Sequence, residues 1–125
     1  MNKIFALIAL LIAASLTISC GSSSGRQLQS ITISKTMNGE QIQFVATGTF
    51  SAAPTTVTPL PAFWSIDLPP GQYALTTQPF VIQCTVSGPI PGPIIAWAPA
   101  DPHAPSSGSL SGTKMVTGST GATCP

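Results

Sequence analysis

Proline and glycine interrupt this chain so often that long helices are excluded from most of it. The sequence holds 13 prolines and 11 glycines, and the prolines all lie at Pro54 or beyond it. Downstream of Gly25, the longest stretch without either residue is RQLQSITISKTMN, Arg26–Asn38, which is rich in β-branched residues. Proline lacks a backbone N–H and disrupts helices and inner strands, so it marks turns and sheet edges. We therefore expect short strands joined by turns from Leu28 onward.

Apolar and polar side chains alternate in the segment QIQFVATGTF, Gln41–Phe50. A period of two is typical of a β-strand that turns one face to the core. The residues expected on that face are Ile42, Phe44, Ala46, Gly48 and Phe50. Further strand segments are expected at Ile31 with Ile33, Phe63–Ile66, Tyr73–Leu75, Phe80–Val86, Pro93–Pro99, Thr113–Thr117 and Gly121–Pro125. The pattern therefore favours strands over helices throughout this part of the chain.

Turn signals separate these segments at intervals that match a β-sandwich. GPIPGP, Gly88–Pro93, predicts a break between strands, and APADPHAPSSGSLSG, Ala98–Gly112, predicts a long loop. About seven short strands with turn signals every 8 to 12 residues are typical of an antiparallel β-sandwich of about 100 residues. We therefore predict an all-β fold with one domain over residues 28–125. In FVIQCTV, the inward face is expected to hold Phe80, Ile82, Cys84 and Val86.

An uncharged apolar run, Ile4–Ile18, follows Asn2 and Lys3 near the start of the chain. A basic residue followed by an apolar run that ends in small residues is typical of a secretory signal peptide. A membrane-spanning helix needs about 20 apolar residues, which is longer than this run. We therefore expect residues 1–19 to be a cleaved export signal.

The end of that run, LTISC at Leu16–Cys20, resembles the lipobox of bacterial lipoproteins, in which a small residue precedes an obligatory cysteine. Thr17 departs from the pattern, because an aliphatic residue is commoner at its place. The resemblance implies that Cys20 begins the mature chain, with diacylglycerol on its thiol and an acyl group such as palmitate on its amine. Two or three acyl chains anchor a protein durably in a membrane. The alternative is an ordinary signal peptide with a cysteine near its cleavage site by chance.

The residues that follow Cys20 are small and polar. GSSSGRQ, Gly21–Gln27, is expected to form a flexible tether with a mean span on the order of 15 Å. Gly21 stands where some lipoproteins carry an Asp that retains them in the inner membrane. The resemblance therefore implies a lipid-anchored protein of the bacterial cell envelope, located in the outer membrane.

Three cysteines are an odd number, which calls for an explanation in an exported protein. If Cys20 carries lipid, Cys84 and Cys124 remain, and an oxidising compartment favours a disulfide between them. Closing a loop of about 40 residues contributes about 4 kcal/mol in the chain-entropy treatment. A metal site made of Cys84, Cys124 and His103 is the alternative, but these residues lack the close paired spacing of zinc ligands. We expect no metal and no other cofactor.

The charged residues are few and balanced. The chain has four basic and three acidic residues, and loss of Lys3 with the signal leaves three of each. Nucleic-acid binding requires clustered Lys and Arg to contact phosphates, and no such cluster is present in the sequence. We therefore expect no nucleic-acid partner.

Three segments resemble the bacterial immunoglobulin-like domain, group 2. LQSITIS is similar to that family's opening strand, IQFVATGTFS to a second strand and FWSI to a strand with a buried tryptophan, here Trp64. The likeness covers Leu28–Ile66 and implies an immunoglobulin-like β-sandwich. The family's Ser-Ser-Asn after the tryptophan is absent here, and its closing strand has no cysteine comparable to Cys124. The resemblance implies a non-catalytic module whose loops or sheet edge contact an envelope protein or a glycan.

Two features are candidates for binding or catalysis. Trp97 beside the long loop is either a second core tryptophan or an exposed platform for a sugar ring or a peptide. Asp101 and His103 are the closest pair of titratable residues, and they are either part of a solvated turn or candidate binding residues. With Ser106 or Ser107 they would form the catalytic set of an exported hydrolase, which is the alternative function. We expect a module without enzyme activity.

Overall fold

The computed structural model describes residues 25–67 and 71–125. The predicted signal, Cys20 and most of the tether lie outside the described residues. The described part of the chain forms strands that pair antiparallel throughout, together with a 3₁₀ turn at Leu110–Gly112. The predicted all-β antiparallel sandwich is therefore confirmed.

Eleven strand segments follow one another in this part of the chain. They are β1 Leu28–Asn38, β2 Gln41–Phe50, β3 Thr56–Val57, β4 Phe63–Ile66, β5 Gln72–Ala74, β6 Phe80–Gln83, β7 Gly88–Pro89, β8 Ile94–Pro99, β9 Ser107–Ser109, β10 Met115–Thr120 and β11 Thr123–Cys124. The sequence did not predict β3, β7 and β9, which lie in segments rich in Pro, Gly, Ser and Thr and are only two or three residues long.

The strands form two larger sheets and two short ribbons. In the first sheet β2 lies between β1 on one side and β3 with β6 on the other. In the second sheet β8 lies between β4 and β10, while β7 pairs with β11 and β5 with β9. The β1–β2 hairpin turns at Gly39, whose φ of 63° suits the first position of a two-residue type II′ loop. The segment GPIPGP, which the sequence predicts to be a break between strands, contains strand β7 at Gly88–Pro89 in addition to a turn.

The core lies between the two larger sheets. The predicted inward face of β2 is buried, and Ile94, Ala96 and Ala98 of β8 are buried opposite it. Trp64 is partly buried, packs against the core, and stacks on Phe80 with ring centroids 5.6 Å apart. These contacts join the sheets across the sandwich and confirm that Trp64 belongs to the core.

The two sheets approach each other closely where β10 passes β1. A Cβ atom built on Gly118 of β10 would clash with the carbonyl oxygen of Ile31 in β1. A backbone oxygen has little freedom to move, so glycine allows this approach. The sheets are therefore held at a separation that a larger residue at this position would disturb.

The predicted inward position of Val86 is wrong, because 78% of this residue is exposed. Strand β6 ends at Gln83, and the N–H of the next residue, Cys84, donates to the Glu40 carbonyl oxygen at 2.7 Å. Cys84 is buried as predicted, but the period of two does not continue beyond the end of the strand. Strand geometry therefore no longer determines where Val86 points.

Candidate functional site

A cleft of about 640 Å³ lies at the end of the sandwich where β1 begins and β2 ends. Leu28 and Phe50 of the first sheet and Ala98 of the second line it, with Leu60 and Leu75 from the connecting segments. Leu28, Phe50, Leu60 and Ala98 belong to one buried core cluster, so the cleft opens directly onto the core. Ligand sites are typically concave, largely apolar spaces of about 300 to 1,000 Å³.

Arg26 lies on the rim of the cleft, two residues before the start of β1. Its guanidinium carbon is 3.6 Å from the centroid of the Phe50 ring. Its Nε donates to the carbonyl oxygens of Ala52 at 3.2 Å and Pro54 at 3.0 Å, and its Nη2 donates to Pro54 at 2.6 Å. These acceptors are neutral, so they fix the orientation of the guanidinium without neutralising its positive charge.

Asp101 also lines the cleft, from the loop that follows β8. Its Oδ1 accepts a hydrogen bond from the backbone N–H of His103 at 2.9 Å, which is an Asx turn. His103 is exposed and is not among the residues that line the cleft. The structure therefore brings Asp101 and His103 together, but through the His103 backbone.

The loop that carries Asp101 is held at several points. The Tyr73 hydroxyl donates to the Pro105 carbonyl oxygen at 2.9 Å, and the Leu75 N–H donates to the Ser106 carbonyl oxygen at 2.8 Å. At the start of the loop, the Leu28 N–H donates to the Ala100 carbonyl oxygen at 2.8 Å. The loop is therefore a fixed wall of the cleft, attached both to β1 and to the β5 region.

The hydrogen bonds around His103 do not match the geometry of a hydrolase active site. Within the described residues, the hydrogen bonds include none from the His103 imidazole to a carboxylate or a serine hydroxyl. A general base requires its ring nitrogen within hydrogen-bond reach of the group that it deprotonates. The described ranges also contain no group of three or more His, Cys, Asp and Glu residues that would hold a metal ion.

Trp97 lies in the middle of β8, on the outer face of the second sheet. Its neighbours Ala96 and Ala98 are buried in the core, whereas Trp97 is partly buried and belongs to neither core cluster. Its Nε1 donates to the Ser65 hydroxyl at 2.7 Å, and Phe63 lies opposite it in register. Successive residues of a strand face opposite sides, so Trp97 points away from the cleft that Ala98 lines. The expectation of a second core tryptophan is wrong, and a platform role stays a prediction.

Arg26 is the rim residue that sequence reasoning missed, because it stands in Gly21–Gln27, a segment with the composition of a flexible tether. Its contact with Phe50 depends on the register that pairs Leu28 with Phe50 across the hairpin. A single arginine before a strand carries no signal of such a contact in the sequence. The sequence carries no signal of the cleft as a whole either, since its walls come from segments far apart in the chain.

Cys84 and Cys124 form the predicted disulfide, with Cα atoms 5.6 Å apart. The bond joins the end of β6 to β11, near the start of β2 and far along that strand from the cleft. In the part of the chain that the structure describes, no helix is both long and apolar enough to cross a membrane. Neither a protein-family model, nor a curated protein, nor a solved structure matches this chain.

Proposed function

We propose that this chain is a lipid-anchored, non-catalytic binding module of the bacterial cell envelope, held in the outer membrane by acyl chains on Cys20. The observation that carries the proposal is the apolar cleft beside Arg26, at the end of the domain to which the tether attaches. The cleft has the volume and the lining of a ligand site. Its charged lining residues, Arg26 and Asp101, are few enough to orient a ligand without making the site polar.

The cysteines support an exported, anchored chain. The Cys84–Cys124 disulfide accounts for two of the three cysteines and leaves Cys20 outside the bridge. Disulfides form and persist mainly in oxidising compartments such as the periplasm. Lipid on Cys20 therefore explains the odd cysteine without a free thiol in that compartment.

The tether places the cleft near the membrane. Six residue steps separate Cys20 from Arg26, and a fully extended chain of that length spans at most about 22 Å. A cleft at this end of the domain therefore stays close to the bilayer surface. Its apolar walls favour an apolar ligand over a glycan, whereas the outer face around Trp97 is the better candidate for contact with a sugar or a peptide.

The alternative, an exported hydrolase that uses Asp101 and His103, receives no support from the geometry. The Asp101 carboxylate is engaged by a backbone N–H, which is the arrangement of a turn. Replacement of His103 with alanine is therefore expected to leave every phenotype of the protein intact.

Intact-mass measurement of the protein extracted from membranes tests the proposal. We expect a chain that begins at Cys20, carries diacylglycerol and acyl groups, and shows no alkylatable thiol until it is reduced. The Cys20→Ser variant should lose the lipid mass and remain unprocessed, while the bridge stays intact. An unlipidated mass for the unaltered chain would contradict the anchor, and recovery from inner membranes alone would contradict the outer-membrane location.

A further inference from the structure

We propose that the end cleft binds one molecule of a single-chain zwitterionic phospholipid from the bilayer, with its acyl chain inside and its headgroup at the rim. The source of this ligand rests on the proposed membrane anchor, because the anchor keeps the cleft near a bilayer. In this arrangement the phosphate contacts Arg26, and the headgroup amine faces Asp101.

The walls of the cleft suit an acyl chain. Leu28, Phe50 and Leu60 line it, and each is at least nine-tenths buried, so the cleft extends into the core. An acyl chain offers only apolar contacts and leaves no polar group unsatisfied in such a space, unlike the backbone of a peptide. Burial of each further methylene raises affinity by up to about fourfold.

The rim of the cleft carries one charge of each sign. Arg26 is fixed by the Phe50 ring and by two carbonyl oxygens, and a guanidinium in a fixed orientation is well suited to phosphate. Asp101 uses Oδ1 for the His103 N–H and retains further acceptor sites on its carboxylate. A headgroup with a phosphate and an amine complements both charges, whereas a fatty acid or a neutral glyceride complements one or neither.

Photocrosslinking of the full chain, as cells produce it, tests the assignment. The chain is reconstituted in vesicles of phosphatidylethanolamine and phosphatidylglycerol that contain a trace of lysophosphatidylethanolamine with a diazirine in its acyl chain. We expect the adducts to map to cleft residues such as Leu28, Leu60 and Leu75. Excess unlabelled lysophosphatidylethanolamine should remove them at a concentration about tenfold lower than a fatty acid or a monoacylglycerol of equal chain length.

Matched variants separate binding from folding. Arg26→Gln and Asp101→Asn should each reduce labelling about fivefold or more, whereas Lys35→Gln, an exposed cation that does not line the cleft, should not. Thr77→Trp, at an exposed lining position, should block the cleft, and Thr117→Trp, exposed on the outer face of the second sheet, should not. These positions are exposed or partly exposed, so the variants are expected to fold.

The outcomes distinguish this proposal from the proposed function. Adducts spread over the surface, or unchanged by Thr77→Trp, would overturn the cleft as the lipid site. Equal competition by a fatty acid would overturn the zwitterionic headgroup. The intact mass of the same sample reports on the anchor separately. Cleft adducts on a chain without lipid at Cys20 would contradict the proposed anchor and support the proposed lipid site. Lipid on Cys20 without cleft adducts would support the anchor and contradict the lipid site.

Discussion

The two ends of the sandwich are closed in different ways. At one end, Cys84 and Cys124 are covalently joined and pack in a cluster with Ile42, Phe44 and Ile94. At the other end, side-chain packing and the hydrogen bonds of Arg26 and the Asp101 loop hold the segments together around the cleft. The disulfide secures the end where β7 and β11 are only two residues long, and the opposite end remains open to a ligand.

A hollow of similar volume, about 660 Å³, also lies at the disulfide end, and it differs from the cleft in its lining. Its lining includes the exposed residues Lys35, Met37, Pro89 and Thr123 and one buried core residue, Ile42. The cleft instead reaches Leu28, Phe50, Leu60 and Ala98, which are all buried. The two spaces therefore differ in how much of the core they reach: Ile42 alone among the buried residues at the disulfide end, and at least four buried residues in the cleft.

Loss of the disulfide is expected to have the largest effect on stability. Replacing both Cys84 and Cys124 with alanine should lower the free energy of unfolding by about 4 kcal/mol, because the bridge closes a separation of 40 residues. Urea unfolding measures the change, and reduction of the unaltered chain should reproduce it. A loss below about 1 kcal/mol would show that the disulfide end is held by packing alone.

Truncation of one buried side chain at each end compares their packing. Ile94→Ala should cost about 3 kcal/mol, since Ile94 is fully buried at the disulfide end. Leu60→Ala should cost about 2 kcal/mol, at the low end of the range for such changes, because Leu60 already borders the cleft. The same urea titration gives both values, and equal costs would contradict the difference between the ends.

A methyl group added between the sheets should have an intermediate effect. Gly118→Ala is expected to destabilise the fold by roughly 1 to 3 kcal/mol, because its Cβ would meet the Ile31 carbonyl oxygen. Gly121→Ala is the matched control, since no atom lies within 4 Å of its added Cβ. Thermal unfolding of the pair checks the result, and a similar shift for both would remove the close approach as the cause.

Removal of the rim cation should have the smallest effect on stability. Arg26→Gln removes a cation–π contact at a partly exposed site, which is worth roughly 0.5 to 1 kcal/mol. Lys114→Gln, at an exposed position, serves as the control and should change the free energy of unfolding by less than about 0.5 kcal/mol. A loss above about 2 kcal/mol for Arg26→Gln would make Arg26 a structural residue of the cleft.

The sequence predicted those parts of the fold that depend on local pattern or on counting. The alternation in Gln41–Phe50 identified β2 and its buried face, and the odd cysteine pointed to the Cys84–Cys124 pair. Strands as short as β7 depend on a distant partner, here β11, and leave no periodic trace in the sequence. Val86 was misplaced for a related reason, because nothing in FVIQCTV marks the end of β6 at Gln83.

The candidate site was less predictable than the fold. Asp101 is a candidate from the sequence and lines the cleft, but Trp97 lies on the opposite face of its sheet, and His103 is exposed in the same loop without lining the cleft. The cleft is formed by residues from both sheets, from three connecting segments and from the segment before β1. No linear sequence motif predicts contacts between such distant segments, so Arg26 became a candidate only from the structure.

Amide hydrogen exchange of the full chain, with and without lysophosphatidylethanolamine below its micelle concentration, tests most directly whether the open end is the binding end. The amides of Leu28, Leu60 and Leu75 donate within the cleft end, and those of Cys84 and Ile90 donate at the disulfide end. We predict that the lipid slows exchange of the first three amides by about tenfold and leaves the other two unchanged. Equal slowing at both ends, or slowing confined to the disulfide end, would contradict the assignment of binding to the cleft.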